Sequence, residues 1–272
     1  MTRRDSGRDS GRLDQTPRLP NTRRSMLWLC VNSSLAAGLG VFWAVVASNI
    51  GQALAALVDG GEATLFHNRV DVPLPLPAYS ELGALAGPLV VGSFILAVYS
   101  AGQPHSPSKL AALWGIIQCA QLSAVSLATS GLITTSGWIR WLPGVGAVIV
   151  VVLLGLAGAP AFLTFAPHHR RIDTRQRRVS FMVFAATIPA LVGSAVGLLY
   201  LRGSDLPEVA GLPVMWMAPA AVVLLLGAAG TTSVRGPEYQ VDRRFSFGLL
   251  ALVAAVVALS VLLLADGVTV RS

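Results

Sequence analysis

The run "APHHRRIDTRQRR", residues 166–178, sets two adjacent histidines, His168 and His169, among five arginines, Arg170, Arg171, Arg175, Arg177 and Arg178. Imidazoles ligate metals, and guanidinium clusters grip phosphate groups. A zinc site needs three or four ligands, and two neighbours on one short segment do not supply them. Nucleic-acid recognition would need aromatic residues interleaved with the basic ones and a binding module around them, so nucleic acid is not an expected partner. A second group, Glu62, His67, Asp71 and Glu81, joined by Asp205, combines carboxylates with an imidazole and could form an outer vestibule capable of acid–base work. These residues stand on Pro- and Gly-rich segments without ligand spacing, so a solvated loop is the plainer expectation.

A third feature is "GIIQCAQLSAVSLATS", residues 115–130. At 100° per residue, Gln118, Cys119, Ser123, Ser126, Thr129 and Ser130 fall on one helical face with Gly115, and Gln121 flanks it. In an apolar helix such a face either packs against other helices or lines a polar path. Asn32, Ser33, Ser34, Ser48, Asn49 and Gln52 form a smaller polar set near the start of the chain, read as interfacial or interhelical hydrogen-bonding groups.

The remaining chemistry is excluded by pattern. All thirteen carboxylates lie in the tail, the loops or at the edges of apolar stretches, which disfavours a proton relay at a bilayer midplane. The four histidines lie in loops, whereas a transmembrane haem needs helix-borne axial ligands. The single lysine, Lys109, sits at a loop edge, which disfavours a retinal Schiff base. No HExxH or GxSxG motif occurs, and no Walker A motif. Cys30 and Cys119 are far apart inside apolar stretches and form no CxxC. No cofactor or metal is therefore expected, and an enzymatic role is not favoured.

The elements that must carry these residues follow from composition. Of 272 residues, 54% are hydrophobic and 12% charged, about half the charged share of a soluble domain. Seven apolar stretches, about 26–57, 82–99, 110–131, 142–165, 179–201, 212–229 and 245–265, are each near the ~20 residues a helix needs to cross a bilayer. The pattern predicts an all-α polytopic membrane protein of about seven transmembrane helices spanning 26–265. Residues 1–25 form a disordered basic tail, and 266–272 a short external tail. The first stretch is overlong, and predicts either projection beyond the bilayer or a break near "ASNIGQ". "NTRRSMLWL" resembles a twin-arginine signal, but the length of its apolar run and the six stretches beyond read better as a signal anchor.

Arginine placement sets the orientation. With the N-terminus inside, sixteen of the twenty Arg/Lys fall on the cytoplasmic side and four, Arg69, Arg140, Arg202 and Arg271, outside. The N-terminus is then in, the C-terminus out, and the arginine run 170–178 a cytoplasmic loop that holds topology and touches lipid or a partner. A weak similarity between the openings of stretches one and five would group the spans as three, one and three in a parallel repeat. Nineteen arginines against one lysine point to a GC-rich bacterial genome, hence a bacterial plasma membrane. Three roles are expected: a transport component, either a small permease or the membrane subunit of an exporter served by a separate cytoplasmic ATPase; a non-catalytic accessory or scaffold subunit among other membrane subunits; or an enzyme with an outer-face acid–base site.

Overall fold

A computed structural model of the chain describes residues 23–58, 60–72, 78–101, 107–129, 175–200 and 244–272. Helix α1 (Arg23–Val58) is followed by strands β1 (Glu62–Leu65) and β2 (Val70–Asp71), then helices α2 (Ala78–Ala101) and α3 (Pro107–Thr129). Further on come α4 (Arg175–Met182), a π-helical turn (Val183–Thr187), α5 (Ile188–Tyr200), α6 (Phe247–Leu264) and strand β3 (Val268–Arg271). The described residues are thus mostly helical. Among the described residues, three segments are long and apolar enough to cross a membrane: Met26–Val58, Gln176–Gly197 and Phe247–Leu264. The apolar part of α2, Leu82–Val98, is shorter. The expected spans at 142–165 and 212–229, the linker and the middle member of the second triplet in the three–one–three repeat, lie outside the described residues, as do residues 1–22.

Helix α1 is central. It contains no proline and runs unbroken through "ASNIGQ", so the expected break there does not occur. Its 36 residues extend about 54 Å at 1.5 Å per residue, well beyond a 30 Å hydrocarbon core. Gly60, at φ 75°, ends it. The Gly60 N–H reaches the Leu57 carbonyl and the Gly61 N–H the Ala56 carbonyl, both at 3.0 Å. This is the Schellman pattern, in which a left-handed residue lets two amides return to the last turn.

The chain then departs from the all-α expectation. Strands β2, β1 and β3 form a three-stranded antiparallel sheet, with β3 inside the segment expected as a short external tail, 266–272. Alternation sorts its faces. Ala63, Leu65, Val70, Val72 and Val270 pack with Ala53 and Ala56 of α1. Glu62, Thr64, Asp71, Thr269 and Arg271 lie on the other face by register. Burial of the apolar face is what stabilises so small a sheet, since short strands alone are marginal in water.

Helix α6 is tied to α1 at both ends. At its start Asn32 accepts the Ser246 N–H at 3.1 Å and donates to the Arg244 carbonyl at 3.0 Å, while Ser246 caps Leu249 N at 3.2 Å. Trp28 and Phe245 stack alongside, 5.4 Å apart. At its end Gly267, at φ 74°, turns the chain into β3, which pairs with β1 just beyond α1. The two helices therefore run in the same direction. Helix α1, with α3, the α4–α5 segment and the first turn of α6, holds the main core: Leu29, Ala37, Leu113, Trp114, Phe181, Met182 and Leu249.

Candidate functional site

The polar residues of the helices meet in two places, and each follows from a local feature of the chain. The first surrounds Pro88 in α2. Proline has no N–H, so the carbonyl one turn earlier, that of Ala84, loses its helical partner. In lipid that acceptor must be satisfied by a neighbour. Ser48 Oγ of α1 donates to the Ala84 carbonyl at 3.2 Å, and Ser123 Oγ of α3 to the adjacent Leu85 carbonyl at 3.2 Å. Two serines from two helices thus cover the proline break.

They reach it because the backbones approach closely. A Cβ on Gly51 would collide with the Gly83 carbonyl, one on Gly83 with the Gly51 carbonyl, and one on Gly87 with the Ala47 carbonyl. Ala47, Gly51 and Ala55 on α1 and Gly83 and Gly87 on α2 are spaced by four, the small-xxx-small pattern of membrane helix packing.

The second place lies where α1, α3 and α5 meet. Gly40 of α1 rests on the backbone of Trp114 and Gly115, where a Cβ would lie 2.6 Å from the Trp114 carbonyl. A Cβ on Gly193 of α5 would lie 2.8 Å from Gln118 Nε2 and 3.2 Å from Ala37 Cβ. Gln118, Trp114 and Ser33 are 3%, 1% and 0% exposed. Gln118 Nε2, Trp114 Nε1, Ser33 Oγ and, on the π turn, Thr187 Oγ1 have no hydrogen-bond partner among the described residues; nor does Asn49 Nδ2, further along α1. The π turn has a visible cause. It precedes Pro189, whose ring would crowd the carbonyl one turn back, and the wider turn accommodates it.

The residues singled out in the sequence are distributed as follows. On α3, Gln118, Cys119 and Ser123 are buried and Ser126 half-buried. Thr129 ends the helix, and Ser130 lies outside the described residues. Cys119 packs with Val41, Ala44, Val45 and Leu122. Of the outer group, Glu62 and Asp71 share one face of the small sheet. Glu62 pairs with Arg271 at 2.7 Å and Asp71 with Arg69 at 3.3 Å, both exposed. His67 sits half-buried between β1 and β2, and Arg69 lies over the Phe66 ring at 4.7 Å. Glu81 is in the first turn of α2, and Asp205 is outside the described residues. Of the arginine loop, Arg175, Arg177 and Arg178 open α4, while Arg170 and Arg171 are outside. No group of three or more metal-ligating side chains occurs among the described residues.

Two features escaped the sequence reading. The Gly83-x-x-x-Gly87 spacing was present in plain view. The role of Pro88 was legible only as a missing N–H whose substitute donors come from other helices. No family model, curated protein or solved structure matches the chain.

Proposed function

We propose that this chain is a membrane transport component of a bacterial plasma membrane, with seven spans, its N-terminus in the cytoplasm and its C-terminus outside. It acts as a small permease or as the membrane subunit of an exporter driven by a separate ATPase. The parallel course of α1 and α6 supports the topology. A chain whose first and last spans run the same way crosses an odd number of times, as seven spans require. The sixteen-to-four arginine division supports the direction.

The observation that carries the transport reading is the set of unpaired donors on Gln118, Trp114 and Ser33, buried at the junction of three helices. A purely structural seam would pair them, because a lone amide in hydrocarbon costs several kcal/mol, on the order of 4. Groups kept unpaired at that depth serve something that arrives. A second reading, a non-catalytic scaffold among other membrane subunits, is favoured by Ser48 and Ser123, whose hydroxyls are engaged in packing around Pro88. An outer-face enzyme draws less support, since Glu62 and Asp71 each face an arginine.

Cysteine scanning of positions 115–130, in a background lacking Cys30 and Cys119, separates the two. A water-soluble thiol reagent is expected to label position 118 but not position 123, which is closed against α2. Protection of 118 from both water-soluble and lipid-soluble reagents would favour the scaffold and remove the transport reading.

A further inference from the structure

The seam between α1, α3 and α5 has a composition that specifies what it can hold. Its groups without a hydrogen-bond partner among the described residues are Gln118 Nε2, Trp114 Nε1 and Ser33 Oγ, with Thr187 Oγ1 on the π turn. An indole N–H and an amide NH2 are donors only, and a hydroxyl donates readily. None of them is charged. Trp114 and Gln118 are one turn apart on α3 and so share a face; Ser33 and Ala37 are likewise one turn apart on α1. Gly193 brings α5 against both faces, within reach of the Gln118 amide and the Ala37 methyl. Around these groups the walls are apolar: Ala36, Ala37, Leu113, Ile117, Ala186 and Ala190 are all buried in the same cluster.

We infer that this seam binds a neutral, lipid-soluble molecule through a carbonyl oxygen, held by the Gln118 amide and the Trp114 indole N–H. The inference rests on the transport reading and narrows its substrate class. A carbonyl oxygen has two lone pairs, enough to accept from both of these donors. A fully charged ligand would find no counter-ion among the described residues of the seam, and burial of an unpaired charge is far costlier than that of a neutral group. A hydrocarbon would leave the donors unsatisfied. The π turn fits this role, because such turns recur at functional sites in helices.

The test uses the full-length protein in lipid nanodiscs and benzophenone, a neutral ketone that forms covalent cross-links to nearby C–H bonds under ultraviolet light. Saturable labelling of the peptides containing Ser33–Gly40 and Trp114–Gln118 is expected. Dicyclohexyl ketone should compete, and dicyclohexylmethane, which lacks the carbonyl, should not. Gln118→Met keeps side-chain length and removes the donor. Trp114→Phe keeps an aromatic ring and removes the N–H. Each should lower saturable labelling about tenfold, as loss of a hydrogen bond worth about 1.4 kcal/mol implies, while labelling of the apolar face of α6 stays unchanged and reports intact insertion. Labelling that rises linearly without saturation, or that both variants leave intact, would overturn the carbonyl site. That result, together with water-soluble labelling of a cysteine at 118, would leave a transport path standing and refute only the ligand class. Protection at 118 would remove both.

Discussion

The proline break in α2 gives a sharp energetic prediction. Ser48→Ala removes the hydroxyl that donates to the Ala84 carbonyl at 3.2 Å and leaves a buried acceptor without its substitute partner. Leaving such a group unpaired costs ~1–3 kcal/mol in soluble proteins. Interhelical hydrogen bonds in membranes average nearer ~0.6 kcal/mol, with a maximum of ~1.7. The Ala84 carbonyl has no helical N–H to fall back on, so we place Ser48→Ala at the upper end, about 1.5 kcal/mol. The same substitution should be nearly silent in a Pro88→Ala background. There residue 88 has an N–H, the Ala84 carbonyl regains its helical bond, and Ser48 becomes redundant. The expected coupling in the double-mutant cycle is therefore about 1.5 kcal/mol, a little over tenfold in the unfolding constant. The assay is reversible unfolding in mixed micelles with increasing denaturing detergent, followed by tryptophan fluorescence. Pro88→Ala alone can move stability in either direction, because the bend also sets how Gly83 and Gly87 meet α1; the cycle subtracts this. Equal cost of Ser48→Ala in both backgrounds would refute the argument.

Asn32→Leu removes both the acceptor for Ser246 N–H and the donor to the Arg244 carbonyl, and should cost about 2 kcal/mol for the two bonds; faster proteolysis just before α6 would report it. Gly267→Val combines a left-handed backbone with a clash against Phe66 and should release β3 from β1, seen as loss of amide protection at Glu62–Leu65. By contrast Arg271→Ala, which breaks only an exposed ion pair with Glu62, should change stability by less than about 1 kcal/mol.

What could be read from the sequence was what depends on nearest neighbours along the chain. Continuous apolar runs placed α1, α2, α3 and α6 close to where they stand, because in lipid the backbone must pair within its own segment. The central pairing of the sheet, β1 with β3, was missed because its partners are about two hundred residues apart. Glu62–Leu65 lies between a Gly-Gly turn and a proline-rich stretch, and Val268–Arg271 is four residues long at the end of the chain. Each alternates apolar and polar, yet neither run alone reaches the length at which alternation outweighs loop composition. The face of α3 containing Gln118, Cys119 and Ser123 was visible from its spacing. The acceptor for Ser123 was not, since it lies on a different helix, beside the Pro88 break, and is reached only because small residues let the backbones touch. Asn32 belongs to the same class: its polar character stood out, but its partners at 244 and 246 are set by tertiary contact.

The membrane topology is tested most directly by two reporter fusions in a bacterial host, one after Ser272 and one at residue 173. An enzyme reporter active only outside the cytoplasm should be active at Ser272 and silent at 173, because α1 and α6 run in the same direction and the proposed seven-span topology puts sixteen of the twenty basic side chains on the side of the N-terminus. A reporter after Ser272 that is active only in the cytoplasm would contradict the seven-span account.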